Sequence, residues 1–490
     1  MPEVAPDVPV LVVGAGPVGL TAALLLARRG VGVLVVERYP QPYPLPRAVH
    51  LDDEVFRVLQ AAGVADEVAQ ASRPMAGMRL LDARLRTLAE FPRDPADRPN
   101  GWPAGSLFHQ PDLEDVLRAA LAREPRARLA AGAEVTGLAQ DDDGVTVALR
   151  AADDAADGGA DRSVRAAFVL GCDGANSTVR GLVGGEMREL GPADRWLVVD
   201  ARARFATPVW PGVHQVCDPR RAATFMPVPG DRYRWEFRLR PGETAQSLSA
   251  PERLAGLIAP FGATDVEVLR AAEYVFRAQV ADRWRVGRVL LLGDAAHLTP
   301  PFIGQALGLG LRDAHQLAWK VALVLAGGAG EELLDTHQAE REPHARALIR
   351  VALLLGRLMT GGGRSAALIR RAVLAGARRI PVVATLAASS RTPPLRGPLI
   401  ARTGRGNRLL AGTLLPQPTV LADGRPCRLD DVLGDGPAVV ELLAGGRLRV
   451  SADGRCTEVA DPGGAVAARL RPSGARRVEV RPDRIIGRAG

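Results

Sequence analysis

Three glycines at a fixed spacing carry the first sign of chemistry. Gly14, Ala15, Gly16, Pro17, Val18 and Gly19 follow the apolar run Val10–Val13 and lead into a helix-forming stretch, Leu20–Arg29, that stops at Gly30. A second apolar run, Gly32–Val36, closes on Glu37. Strand, glycine turn, helix and strand within forty residues form a βαβ unit of the kind that binds a dinucleotide. Gly14 permits the tight turn, Gly16 lets backbone approach a pyrophosphate, and Gly19 allows close helix–strand packing. The helix N-terminus offers free N–H groups and partial positive charge to the phosphates. Glu37 stands where a carboxylate takes ribose hydroxyls.

Two distant segments repeat the theme of an aspartate at a strand end. Gly171-Cys172-Asp173-Gly174-Ala175-Asn176-Ser177, running on to Arg180, follows the strand Phe168–Leu170. Gly293-Asp294-Ala295-Ala296-His297-Leu298-Thr299-Pro300-Pro301 follows the strand Val289–Leu292. Ligands of α/β sheets collect at such strand ends. His297 is read as a packed or helix-capping side chain. No Ser/His/Asp set, paired carboxylates or metal cluster appears. Cys172, Cys217, Cys427 and Cys456 lie far apart without CxxC spacing, which fits reduced thiols in a cytoplasmic protein and no bound metal.

The elements that must position these residues can be read more coarsely. The 490 residues suffice for two or three domains, with 47% hydrophobic and 24% charged residues. The net charge of +8 comes from arginine, Lys320 being the sole lysine. The arginines are scattered without interleaved aromatics, so nucleic acid is not the expected partner. Val10–Val13 is too short to span a bilayer, the N-terminus is acidic, and Leu317–Leu325 carries Lys320, so no membrane segment or secretory signal is expected. Leu113–Arg123 reads as a helix, and Glu134–Leu149 as a hairpin around Asp141-Asp142-Asp143-Gly144. Ala151–Arg162 reads as a loop. Between Arg195 and Phe276 short alternating runs with Pro-Gly turns predict an inserted antiparallel sheet. A long helix starts near Gln305 and reaches Ala326, and helices continue to about Ala388.

Together the three segments resemble the fingerprints of the aromatic flavoprotein monooxygenases of the p-hydroxybenzoate hydroxylase type, over roughly residues 8–360. Leu45-Pro46-Arg47-Ala48 with Leu51-Asp52-Asp53-Glu54 is similar to the 3-(3-hydroxyphenyl)propionate hydroxylase branch. So are Arg312-Asp313-Ala314 with Leu317-Ala318-Trp319-Lys320, and Glu340-Arg341-Glu342-Pro343-His344-Ala345. Relatives of that branch also tailor aromatic polyketides. The resemblance implies bound FAD, transient NADPH or NADH, O₂ as co-substrate, and hydroxylation of a phenolic or polyketide-like aromatic. A Baeyer–Villiger oxygenation or dehydrogenation on the same scaffold, and a non-catalytic flavin-binding protein, are the competing readings. A halogenase is disfavoured, since no Trp-x-Trp-x-Ile-Pro segment occurs.

The resemblance also assigns roles. Gly14, Ala15, Gly16, Pro17, Val18, Gly19, Glu37 and Arg38 would hold the ADP half. Arg47 and Gln110 would reach the ribityl and phosphate region, with Val135 also in the cofactor site. Asp173 would serve the pyrophosphate region and nicotinamide recognition. Gly293 and Asp294 would meet the ribityl chain. Pro301 and Gly304, with Gln305, Ala306, Leu307 and Gly308, would lie against the isoalloxazine. The family's loop is closer to Gly-Gly-Gln-Gly-Met-Asn. Here Ile303 and Ala306 add bulk, and Gly308 removes a side chain expected near the flavin.

The inserted sheet supplies substrate candidates: His214, Met226, Tyr233, Trp235 and Phe237, with Arg204 and Arg234 available to a substrate carboxylate. The expected architecture is α/β: a Rossmann-like FAD-binding domain from 1–185 and 280–390, a substrate-binding β-sheet domain at 186–279, a linker at 391–412 and a thioredoxin-like domain at 413–490. That last domain has no CxxC, so packing or homodimer formation is its expected role.

Overall fold

The structure is a computed structural model that describes residues 7–42, 47–151, 162–360 and 392–490. Most of the loop expected at Ala151–Arg162, the pair Leu45-Pro46, and the helices expected between Thr360 and Ala388 lie outside the described residues.

The central strand is Val8–Val13. It pairs in parallel with Val33–Glu37 on one side and Arg162–Gly171 on the other. Val289–Leu291 and Ala127–Ala131 extend the sheet outward in the same sense. Val10, Leu11 and Val12 are wholly buried, as befits a parallel strand covered on both faces. Helix α1, Pro17–Arg28, lies across this sheet and packs against the later helix Ala306–Leu325. The hairpin Ala133–Gln140 and Val145–Ala151 continues the sheet in antiparallel fashion. Its acidic turn is closed by Asp141, which accepts from the Asp143 and Gly144 amides.

The inserted sheet is antiparallel at its centre. Met187–Phe205 pairs with Ala263–Ala281 and with Arg232–Arg238, followed by Ala223–Pro227 and Val213–Val216. Two strands from early in the chain complete it. Gly77–Leu81 runs parallel to Val213–Val216, and Thr87–Pro92 closes the edge. Gly77–Leu81 carries no clean alternation of burial, and Thr87–Pro92 alternates over only two buried residues, Ala89 and Phe91, which is too short a signal to mark a strand in the sequence.

A seven-stranded antiparallel sheet spans Thr419 to Ala489 around a core that includes Leu415, Val440 and Leu448. The segment before it is packed: Leu395, Ile400 and Leu410 are buried, and the Ala401 amide donates to the Gly487 carbonyl. All four cysteines are free. No described helix is long and apolar enough to cross a membrane.

Three further helices matter for the site. Helix α2, Asp53–Ala61, is capped by Asp52, whose side chain accepts from the Val55 amide at 2.8 Å. Helix α3, Ala306–Leu325, is buried along most of its length. Helix α4, Glu332–Thr360, lies beside it and carries Pro343. At the α1–α3 crossing a Cβ on Gly310 would stand 2.6 Å from Val18 Cγ2 and 3.0 Å from Gly293 Cα. The Gly310→Ala variant is expected to lose about 1–3 kcal/mol through overpacking, and Val18→Ala is expected to recover part of it. Thermal unfolding of the two single variants and the double variant checks this.

Candidate active site

A cavity of about 450 Å³ opens where the parallel strands end at the first and second glycine segments. Gly14 adopts φ +101°, and a Cβ there would stand 2.6 Å from the Cys172 carbonyl oxygen. A Cβ on Gly19 would run into the Gly14 carbonyl. Gly16 differs: nothing lies within 4 Å of where its Cβ would be, so its backbone faces open cavity. The two glycines on either side are steric necessities of the turn, and the middle one leaves room for a ligand.

Glu37 reaches back to the turn. Its Oε2 accepts from the Ala15 amide at 2.8 Å and its Oε1 from the Tyr39 amide at 3.0 Å. The carboxylate is thereby fixed on the cavity wall. Arg118, from the helix Gln110–Arg123, donates from Nη2 to the Ala15 carbonyl at 3.2 Å, while its Nε is closed off from solvent without a partner. Asp173 accepts from the Ser177 hydroxyl at 2.5 Å and the Val179 amide at 3.0 Å. Arg180 then donates to the Ala295 carbonyl at 2.9 Å, tying the second segment to the third.

Of the expected cofactor residues, Gly14, Ala15, Gly16, Glu37, Arg38, Arg47, Val135 and Asp173 line this cavity. Pro17, Val18 and Gly19 form the first helical turn behind it. Gln110 also sits behind it. Its Oε1 accepts from the Arg47 and Ala48 amides, so it holds the neighbouring chain in place. Sequence reading missed Glu114, Arg118, Arg270 and Tyr274, which also line the cavity. Arg270 and Tyr274 stand on one face of the strand Ala263–Ala281, but nothing in the sequence says which face turns inward.

The third segment stands apart from that cavity. Asp294 is half-buried and makes no hydrogen bond to another described residue; burial pushes its carboxyl up. Its neighbours are tied together by hydrogen bonds. Asp313 accepts from the Gly293 amide at 3.1 Å, from His297 Nε2 at 2.6 Å and from Arg341 at 2.7 Å. His297 is thus a packed side chain, as its sequence context suggested. In the loop, Gly304 has φ +63°, and its carbonyl lies 3.3 Å from His50 Nδ1. Gln305 is turned away toward α2, donating to Asp52 at 2.9 Å and accepting from Arg312 at 3.0 Å. Ala306 and Leu307 begin α3. Gly308 faces the same network: a Cβ there would meet Arg312 Nη1 at 2.6 Å. Its missing side chain leaves room for that guanidinium.

The inserted sheet turns one face toward this loop. Arg234 donates to the Arg47 carbonyl at 2.9 Å, and Trp196 lies 6.0 Å from the Phe302 ring. Met226 and Asp200 share that face by register with Arg234. His214, Tyr233, Trp235 and Phe237 share the other face, with Phe225 and the helix Pro251–Ile258. Alternation along the strands puts them there, in a core of their own. Arg234 is committed to Asp200 at 2.7 Å, and Arg204 is largely solvent-exposed.

The donor set fits FAD. Open space at Gly16, a fixed ribose-side carboxylate and an unshared Asp294 are what its two halves require. His50 belongs to the same loop. Burial, with Arg93 nearby, lowers its pKa to about 4. The unfolded imidazole binds a proton below about 6.5 and the folded one below about 4, so stability is lost as pH falls through that window. The Tm advantage of the wild type over His50→Gln is expected to shrink between pH 7 and pH 4. A gap that stays constant with pH would contradict this.

Comparison with known proteins agrees with the geometry. The family model described as "FAD binding domain" matches residues 7–352. A 3-(3-hydroxy-phenyl)propionate/3-hydroxycinnamic acid hydroxylase of Burkholderia cenocepacia is 38% identical over 88% of this chain and 78% of its own. A probable NADH-specific resorcinol 4-hydroxylase of Rhodococcus jostii is 36% identical over 90% of this chain and 81% of its own. Aklavinone-11 hydroxylase, solved with FAD and aklavinone, superposes with a TM-score of 0.79 at 26% identity, covering 100% of this chain and 96% of that one. The anhydrotetracycline hydroxylase of Streptomyces rimosus gives 0.77 at 28% identity, covering 99% and 95%. The chain belongs to the FAD binding domain family, among its FAD-dependent aromatic monooxygenases.

Proposed function

We propose that this enzyme uses NADH or NADPH, FAD and O₂ to hydroxylate a small phenolic or polyketide-like aromatic in the cytoplasm. The observation that carries the reading is the cavity at Gly14–Gly16, with Glu37 clamped to the turn and Asp294 left unshared beyond it. Bound FAD supplies the electron transfer and oxygen activation.

The chain's own residues bind, orient and exclude water. Glu37 is placed for the adenosine ribose, and the α1 N-terminus for the pyrophosphate. Asp294 is free to accept from ribityl hydroxyls. The first N–H groups of α3 lack a side-chain cap and present positive charge at the end of the loop. That charge favours an electron-rich ring system beside it. Phe302 joins Leu80, Phe91, Cys217 and Met359 in an apolar cluster between loop, sheet and α4. We assign this cluster and Met226 to the side from which an aromatic ring is held. Such a wall keeps water from the reacting atoms.

Asp294→Ala is expected to purify with less than a tenth of the wild-type flavin, read from visible absorbance. Retention of full flavin contradicts the assignment. The function is tested by nicotinamide consumption in air, with and without a panel of phenols and polyketide phenols. Stimulation by one compound, with a product heavier by one oxygen, supports the hydroxylase. A product lighter by two hydrogens points to dehydrogenation, and bound FAD without any stimulation points to the non-catalytic reading.

A further inference from the structure

The C-terminal sheet touches the nucleotide-binding part through buried charge. Arg57, on α2, is 2% exposed. Its Nε and Nη2 donate to the two oxygens of Asp430 at 2.8 and 2.7 Å, and its Nη1 donates to the Leu415 carbonyl at 2.5 Å. Both acceptors belong to the C-terminal region. The same Nη1 donates to Asn100 Oδ1 at 3.3 Å, and Asn100 donates onward to Asp53 at 2.8 Å. Such a fork pair is fixed in direction as well as distance.

One turn and a half earlier on the same helix stands its cap. Asp52 accepts from Gln305 at 2.9 Å and from Arg312 at 2.6 Å. Arg312 also stands 2.8 Å from Glu54. Gln305 is the residue from which α3 starts. A short rigid helix thus has the C-terminal domain at one contact and the start of α3 at the other. The links of Arg57 to Asp430 and Leu415 and of Asp52 to Gln305 and Arg312 are buried, so a displacement at Arg57 is passed along α2 rather than taken up by solvent at either contact.

We propose that the C-terminal domain positions the flavin-side loop, with Arg57 and Asp430 as the positioning pair acting through α2. This rests on the reading that FAD lies beside that loop. The positive end of α3 stabilises reduced, electron-rich flavin more than oxidised flavin. Loosening Gln305 should therefore weaken binding of the reduced form more than the oxidised one. A second docking contact of the same domain provides the control: Arg481 pairs with Glu340 at 3.0 Å on α4, away from α2, and Glu340 meets α3 at Gln316 and Lys320, about three to four turns beyond its start.

The experiment measures the midpoint potential of bound FAD in the full-length holoenzyme, with Tm and FAD content recorded alongside. Wild type, Asp430→Asn, Arg57→Lys and Arg481→Lys are compared. Asp430→Asn and Arg57→Lys are each expected to lower the preference for reduced over oxidised flavin about tenfold, or about 30 mV for a two-electron couple. Arg481→Lys is expected to lower Tm without moving the potential. An unmoved potential in a folded, FAD-loaded Asp430→Asn or Arg57→Lys protein overturns the proposal. So does an equal shift in Arg481→Lys, which would mean that docking in general, not the α2 contact, is felt. If Asp430→Asn fails to fold, Arg57→Lys, which keeps the charge and loses the fork, decides. A wild-type chain that holds no FAD sinks the functional reading itself, an outcome separate from these.

Discussion

Backbone must touch backbone where α1 leaves the central strand, and the rest of the site follows from that contact. Gly14 abuts the Cys172 carbonyl, Gly19 abuts Gly14, and Gly310 abuts Val18 and Gly293. The first glycine segment thus meets the second backbone to backbone, and it meets the third through the Val18 side chain. Three strand ends converge, and the groups of the first two line one cavity while Asp294 stands beyond it. Any methyl group at these positions would push the strand ends apart. The absence of side chains at Gly14 and Gly19 is the device that brings Glu37 and Asp173 to one cavity wall, with the Gly293–Asp294 turn close by.

Convergence of backbones leaves buried polar groups that need partners, and the arginines supply them. Asp313 is fully buried, and His297 and Arg341 hold its carboxyl well below the usual range. It satisfies the Gly293 amide, so the turn bearing Asp294 does not depend on Asp294 for its shape. The Asp294 carboxylate is therefore left unshared. The same division holds at the first segment, where Gln110 fixes the chain at Arg47 and Ala48 from behind. Structural polar groups thus sit one layer back from the carboxylates of Glu37 and Asp294.

Steric rules travel well from sequence to structure, and facing rules do not. The glycine spacing, the acidic hairpin turn and the buried helix bearing Lys320 were legible because each states a local requirement. Lys320 is indeed fully buried, 3.2 Å from Glu340. The inserted sheet was legible as a sheet, since alternation marks two faces. Alternation does not say which face meets the loop before α3, and four aromatic-type candidates lie on the face that packs against the helix Pro251–Ile258. Arg118 and Arg270 went unseen because their role depends on elements far away in the chain. The strands Gly77–Leu81 and Thr87–Pro92 went unseen because they join a sheet formed mainly by later residues.

The loop before α3 shows how a departure from a family pattern can be local in sequence and distributed in cause. Read alone, Gly308 looks like a side chain lost beside the flavin. In the fold it gives up its volume to the Arg312 guanidinium, which Asp52 and Glu54 hold at 2.6 and 2.8 Å. Gln305 joins the same cluster, and Gly304 leans on His50. The loop is therefore anchored by a buried charge network on its outer side. An arginine with two carboxylates fixes direction where close glycine packing would only fix distance. Ile303 can then be accommodated in the adjoining core, the one that includes Leu309 and Ile349. The bulk at Ile303 and the vacancy at Gly308 are two parts of one exchange, in which charge does the positioning that small residues do elsewhere.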